Sequence, residues 1–364
     1  MKKCKVLFSI MSSITLLLAL FSGCGGSGGQ ASPQQSAAPS AANSAASTAS
    51  SAPAESSAET IVIKLGHVQA ETHPYHLALL ELQKILDEKR PGAVRLDLFP
   101  NSTMGGERDM LEGMQMGTID ASLPSTASLG GFTNEFNVFD LPFLFPSRDA
   151  AYKVLDGPIG QQLLDTLTNV GLVGVVYWEN GFRYITNDKY DIYLPTDIPK
   201  GFKIRTMENE IQMQTFVTLG ANAIPMAWAE VYTALQQGTI DAQENPLANA
   251  YVNNIHEVNH KFSMTGHVYA PCPVVFSKMS WDKYPPDIQQ LLTESLQEAR
   301  DYERKLVSDG EVELIGTLKN AGCSIILPEE IDKEAWRAAV QPVYDKYSDR
   351  IGADFIKEVQ DAMK

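Results

Sequence analysis

Two arginines and an amide within residues 178–246 have the chemistry to hold an organic anion. Arg183 lies in the run Trp178-Glu179-Asn180-Gly181-Phe182-Arg183-Tyr184-Ile185-Thr186-Asn187, Arg205 ends the short apolar segment Phe202-Lys203-Ile204, and Asn245 precedes Pro246. A guanidinium presents a planar fork of donors that pairs with a carboxylate through two parallel hydrogen bonds, so two such groups and an amide suit an organic acid. The competing reading places both arginines in surface ion pairs, which are common and contribute little. No nucleophile with a spaced base, metal-ligand motif or phosphate loop accompanies them, and His73, Glu107 and Asp241 are the residues left for acid-base chemistry. The expectation is a binding protein with no catalytic residues, no metal and no cofactor.

The elements that would carry these residues follow from periodicity. Ile61–Gly66 reads as a β-branched strand, residues 75–89 as a helix, Val94–Phe99 as an alternating strand closed by Pro100, and residues 119–123 as a third strand after a helix through Met110, Leu111 and Met114. Strand-helix-strand alternation predicts a parallel sheet, whose ligands bind beyond the carboxyl ends of the strands. That places His73 and Glu107 in candidate pocket loops, with Ser125 and Thr126 as hydroxyl donors. His73, beside Pro74, could instead cap the following helix, and Glu107 could serve only the positive end of its own helix. The apolar stretch through Phe136, Phe139 and Leu141-Pro142-Phe143-Leu144-Phe145 is expected to pack between lobes. A helix is expected over 149–169 and a strand over 173–177. The second half repeats the logic: strands at 183–185, 202–205, 223–226 and 240–245, and helices at 210–219 and 230–237. A strand over 271–276, a charged helix over 286–320, a strand over 323–327 and two final helices complete the chain. About 300 residues exceed the usual single-domain size, so two lobes are expected.

The N-terminus reads as an export signal. Lys2, Lys3 and Lys5 precede an apolar run from Ile14 to Phe21, shorter than the ~20 residues that span a bilayer, and Leu20-Phe21-Ser22-Gly23-Cys24 resembles a bacterial lipobox with Cys24 as the lipidated residue. Gly25 to Glu59 is nearly all Gly, Ser, Ala, Pro, Gln and Thr, the composition of a flexible tether. The formal charge is −15, or about −18 once three signal lysines are removed, which argues against nucleic acid and against anionic lipid as partners. In so acidic a chain an anion must be held by local cations. Cys272 and Cys323 lack any metal-ligand setting, and a disulfide between them is left open.

His67-Val68-Gln69-Ala70-Glu71-Thr72-His73-Pro74, Leu141-Pro142-Phe143-Leu144-Phe145, Asn180-Gly181-Phe182-Arg183-Tyr184-Ile185-Thr186-Asn187, Lys203-Ile204-Arg205 and residues 234–246 (ALQQGTIDAQENP) come in order over about residues 60–360. Together they resemble the extracytoplasmic solute-binding proteins of TRAP (tripartite ATP-independent periplasmic) transporters, of the dicarboxylate and sugar-acid type. The resemblance implies an α/β, two-lobed periplasmic-binding-protein-like fold with crossover strands and a long connecting helix. The expected division is signal 1–23, lipidated cysteine and linker 24–59, lobe I 60–181 plus 269–308, and lobe II 182–268 plus 309–364. It implies that Arg205 grips the ligand carboxylate, that Arg183 and Asn245 support it, that His73, Glu107 and Asn187 read ligand hydroxyls, and that Trp228 walls the pocket. His67 and His267 are read as structural. The implied function is capture of an organic acid, a uronate or aldonate by preference, and delivery to TRAP membrane subunits by a monomer lipid-anchored outside the cytoplasm. A C4-dicarboxylate, a keto acid, or a role presenting ligand to a sensor are the alternatives.

Overall fold

A computed structural model describes residues 60–364; the expected signal, Cys24 and the tether lie outside the described residues. β1 (Ile61–Gly66), α1 (Pro74–Lys89), β2 (Val94–Phe99), α2 (Glu107–Gln115) and β3 (Ala121–Ser122) form the expected parallel unit, with β1 pairing β2 on one side and β3 on the other. Alternation explains β1: Ile63 and Leu65 are buried while Val62 and Lys64 are exposed. Helix α3 (Thr126–Leu129) and a 3-10 turn over Asn134–Asp140 then carry Phe136, Val138 and Phe139 into the core. The helix expected over 149–169 is broken by Gly157-Pro158 into α4 (Arg148–Leu155) and α5 (Pro158–Thr166), because proline starts a helix well but cannot continue one.

The main departure from expectation is strand length. β4 runs unbroken from Leu172 to Asn187, merging the segments expected at 173–177 and 183–185. The intervening Glu179-Asn180-Gly181 reads as a break in sequence, and the structure accommodates it as a bulge, with Gly181 at φ +110°. β5 (Lys203–Thr206), α6 (Glu210–Thr218), β6 (Asn222–Pro225), α7 (Trp228–Gln236) and β7 (Ala242–Asn245) follow much as read, then α8 (Leu247–Val252). β8 extends over Lys261–Ser277, far beyond the expected 271–276, and pairs antiparallel along β4. The chain ends with α9 (Lys278–Trp281), α10 (Pro286–Asn320), β9 (Ser324–Ile326), α11 (Lys333–Ile351) and α12 (Ala353–Ala362).

All nine strands join one sheet in the order β2-β1-β3-β8-β4-β7-β5-β6, with β9 on β8. β4 and β8 are therefore the crossover strands: β1 to β3 lie on one side of the pair and β5 to β7 on the other. The 35-residue α10 packs against α1 and β4 in its first part and against α8 and β9 further on. The apolar segment around Phe136 to Phe145 is buried, as expected, and it shares a cluster with Val340, Val343, Ile356 and Val359 of the C-terminal helices. Trp336, one turn earlier on α11, belongs instead to the cluster of Ile185, Ile204 and Phe216. The C-terminal helices thus pack against both halves of the sheet, where sequence assigned all of 309–364 to the second lobe. Cys272 and Cys323 are both buried and free, which closes the open question of a disulfide. Among the described residues no helix is long and apolar enough to cross a membrane.

Candidate ligand-binding site

Register brings the two arginines together. β7 pairs antiparallel with β4 and parallel with β5, so the strands that carry Arg183 and Arg205 are both neighbours of Ala242–Asn245. Both guanidiniums are buried, and they are close enough for their charges to repel. Their partners differ. Arg183 Nη2 donates to Glu244 Oε1 and to the Glu244 carbonyl at 2.7 Å, and Nε donates to Glu244 Oε2. His267 Nε2 lies 3.2 Å from the same carboxylate. Burial pushes the Glu244 carboxyl up, but the Arg183 guanidinium and His267 outweigh it and hold the group down to about 2. Arg183 is thereby neutralised inside the protein, and only its Nη1 has no protein partner.

Arg205 has no such counter-ion. Its Nε and Nη2 both donate to the Met226 carbonyl, at 2.8 and 2.5 Å, and its guanidinium carbon lies 5.6 Å from the Trp228 ring centroid. Trp228 opens α7, reaches the end of β5 and lines a cavity there. Among the described residues no carboxylate lies within 4.0 Å of Arg205. Burial, together with repulsion from Arg183, brings its ordinarily very high value down to about 10. A buried cation without a counter-ion is costly, and an anion placed beside it would offset that cost.

Glu107 faces the same space. One oxygen accepts from Ser125 N (3.0 Å) and Ser128 Oγ (2.7 Å), which fixes the carboxylate at the start of α2. Burial raises its pKa, while Ser128, Ser125 and the two arginines pull the other way. Glu107, Ser128, Arg205, Met226 and Trp228 enclose a cavity of about 30 Å³, and a second cavity of about 370 Å³ meets it across Val68 and Trp228. The inner cavity is about the size of one water, far below the 300 Å³ or more that small-molecule ligands occupy.

The remaining expected residues are placed differently. His73 Nδ1 accepts from Tyr75 N, capping α1, and its Nε2 donates to Asn249 Oδ1 at 2.9 Å. The capping alternative is therefore realised, and burial holds the imidazole down near 4, against the opposing Asn249 bond. Asn249 Nδ2 donates to Asn245 Oδ1, Asn245 Nδ2 to Gln243 Oε1, and Gln243 Nε2 to Thr186 Oγ1. Asn245 and His73 are thus links in one buried polar chain rather than free pocket groups. Asn187 is not brought to the cavity at all: its Oδ1 accepts from Lys189 N and Tyr190 N and its Nδ2 donates to Tyr190 O, so it closes the turn after β4. The sequence run that carries it, Asn-Asp-Lys-Tyr, has the Asx-turn chemistry that would have identified this role.

Two groups went unread in the sequence. Glu244 is the internal counter-ion of Arg183. Asp140 accepts from Asn209 Nδ2 (3.1 Å) and Gln212 Nε2 (2.8 Å), and burial pushes its carboxyl up to about 7 despite the Gln212 bond and the Arg183 charge. Asn209 also caps α6 through Oδ1 and donates to the Ala127 carbonyl, so it bridges the two sides of the cleft. Gln69 and Asn253 form a further bridge, at 3.0 Å.

Comparison with known proteins places the chain in a family. The family model described as bacterial extracellular solute-binding protein, family 7, matches residues 65–350. The 2,3-diketo-L-gulonate-binding periplasmic protein YiaO of Escherichia coli is 37% identical over 302 residues, 82% of this chain and 91% of its own length. The C4-dicarboxylate-binding periplasmic protein DctP of Rhodobacter capsulatus is 33% identical over 308 residues, 84% of this chain and 92% of its own. Among solved structures, a TRAP periplasmic solute-binding protein from Polaromonas sp. JS666 bound to D-erythronate superposes with a TM-score of 0.79 at 37% identity, covering 82% of this chain and 98% of that one. The sugar acid binding protein DctPAm of Advenella mimigardefordensis in complex with galactonate gives 0.80 at 33% identity, covering 84% and 98%. The chain belongs to bacterial extracellular solute-binding protein family 7, the two-lobed binding proteins of TRAP transporters, and is a transport component rather than an enzyme.

Proposed function

We propose that this protein captures a sugar acid, a uronate or aldonate, by cleft closure and delivers it to the membrane subunits of a TRAP transporter. The observation that carries the reading is Arg205, a buried guanidinium with free donors and no counter-ion beside a cavity. Its fork takes the carboxylate while the Glu107 oxygen left unbonded accepts from a ligand hydroxyl. One relative named for 2,3-diketo-L-gulonate and structures holding erythronate and galactonate support a hydroxylated acid, while relatives named for C4-dicarboxylates and a structure from Sulfurospirillum deleyianum with succinate keep C4-dicarboxylates in the panel to be tested.

The test is a thermal-shift screen of sugar acids, dicarboxylates and keto acids, followed by calorimetric titration of the strongest stabiliser. A ligand present far above its Kd stabilises the native state by mass action. Arg205→Lys keeps the charge and loses the fork, and affinity is expected to fall by at least ~1.5 kcal/mol, roughly tenfold. Equal affinity in the two proteins would sink the assignment.

Residues 60–181 with 269–308 serve as one lobe and 182–268 with 309–364 as the other in this reading, with the C-terminal helices strapped across both. The protein works as a monomer outside the cytoplasm, tied to the membrane by lipid on Cys24. Support for the anchor is the run Leu20-Phe21-Ser22-Gly23-Cys24 and the tether behind it. Cys24→Ser is expected to move the protein from the membrane fraction to the soluble one; a variant that stays with the membrane refutes the anchor.

A further inference from the structure

The pairing of the two strands that cross the molecule shifts register at three places, between Gly174 and Val176, between Glu179 and Gly181 and between Arg183 and Ile185, and the middle one carries a left-handed glycine. On β4 the pairing with β8 slips between Glu179 and Gly181, leaving Asn180 as a bulge opposite Pro271 and Ala270, and Gly181 takes φ +110°. Bulges bend and twist the strand that carries them. Phe182 and Tyr184 flank Arg183 and, by strand alternation, leave β4 on the face opposite its guanidinium.

On that opposite face a charged cluster spans the bulge. Arg148, at the start of α4, donates through Nε to Glu179 Oε1 at 2.5 Å and through Nη2 to Glu311 Oε2. Tyr184 OH donates to the other Glu311 oxygen at 2.7 Å, and Tyr152 OH donates to Glu179 Oε2. Glu303, one helix segment before Glu311 on α10, accepts from Glu179 N at 2.9 Å. The cluster therefore holds β4 before the bulge (Glu179), β4 after it (Tyr184) and α10 alongside. The Glu179 carboxylate is fully buried, and Arg148 and Glu311 are 23% and 16% exposed. Beside the cluster, Arg148, Phe182, Tyr184, Gly266 and Glu311 line a cavity of about 370 Å³, which gives these side chains room to rearrange.

In the same structure the front of the cleft is drawn together: Gln69 bonds Asn253, His73 bonds Asn249, Asn209 bonds Ala127 and Asp140, and the inner cavity is about 30 Å³. A set of short charged hydrogen bonds across a bend is satisfied at one bend angle, because changing the angle moves Tyr184 and Glu179 in different directions relative to α10. We propose that Arg148, Glu311 and Tyr184 form a clamp behind the bend, satisfied when the cleft is drawn together, and that Arg148 is a positioning residue for ligand capture. The proposal rests on the reading of the cleft as a closing acid site. A binding protein's apparent affinity scales with the fraction of molecules in the competent arrangement, so the clamp sets affinity without touching ligand.

Glu311→Gln and the milder Tyr184→Phe test it, with Arg148→Lys as the conservative partner that keeps charge but cannot hold both carboxylates in a fork. Amide hydrogen exchange is measured on the full chain without ligand, and D-galactonate is titrated as the probe. The expected result is faster exchange over residues 125–140 and 205–212, on the far side of the strands from the substitutions, with β1 unchanged, and galactonate affinity reduced by roughly 10-fold in Glu311→Gln and less in Tyr184→Phe. Tyr184→Phe removes one hydroxyl and leaves the buried Arg148–Glu179 pair intact, so it reports even if the charged variants fold poorly. Unchanged exchange over both front segments in Tyr184→Phe and Glu311→Gln overturns the clamp, as does galactonate affinity equal to the parent's in both. A parent that fails to bind galactonate counts against the acid reading alone, and the ligand-free exchange data then decide the clamp.

Discussion

Arg183 and Arg205 look alike in the sequence and do opposite work in the structure. Arg183 is half of a buried ion pair with Glu244; Arg205 is a cation held ready by one carbonyl and an indole face. Their substitutions should therefore separate stability from binding. Arg183→Met leaves Glu244 buried against His267 alone, and a loss of about 3–5 kcal/mol in urea unfolding is expected, as for other buried pairs broken on one side. Pairing it with Glu244→Gln should recover a large part of that loss, whereas an additive double variant would show that the pair is not coupled. Sequence singles out both arginines because guanidinium chemistry at strand ends suits anion binding, and Trp228 through the family resemblance; the structure sets Trp228 against Arg205 and Glu244 against Arg183. Glu244 was not legible in the sequence, because a glutamate in a strand reads as a solvent-facing residue until the register sets it beside Arg183. Asp140 was hidden for the same reason, inside an apolar run whose turn no periodicity describes.

Secondary elements show where local rules suffice. Strand β1 and helix α2 follow from alternation and from helical spacing. Gly157-Pro158 divides a helix that periodicity alone continued. The long strands β4 and β8 were under-read because their middles carry glycine, proline and polar residues, and only pairing with each other along their length makes them strands. Helix α1 depends on an unusual cap. His73 accepts from Tyr75 N only while neutral, and burial holds it so down to about 4 against an ordinary 6.5. Between those values the unfolded chain binds more protons at this site than the folded one, so stability falls as pH drops from 6.5 to 4 and levels off below. His73→Gln, which removes the titrating group, is expected to show a shallower decline of urea midpoint over that window than the parent. Parallel curves would mean that His73 does not titrate differently in the two states.

Across the whole molecule, the two-lobed plan was legible from the repeated strand-helix alternation and the resemblance. The sharing of the C-terminal helices between the two halves was not. Val340 and Ile356 look like any amphipathic helix positions, and which apolar surface they meet is decided by how the chain returns along α10. The crossover pair and its bulge are likewise products of long-range pairing. Because the Arg183 charge is balanced by Glu244 within the fold, a change in the residues lining the cavity leaves that ion pair intact. The joint that this pair makes between β4 and β7 therefore does not depend on what lines the cavity, and Glu107 or Ser128 can change without loosening it.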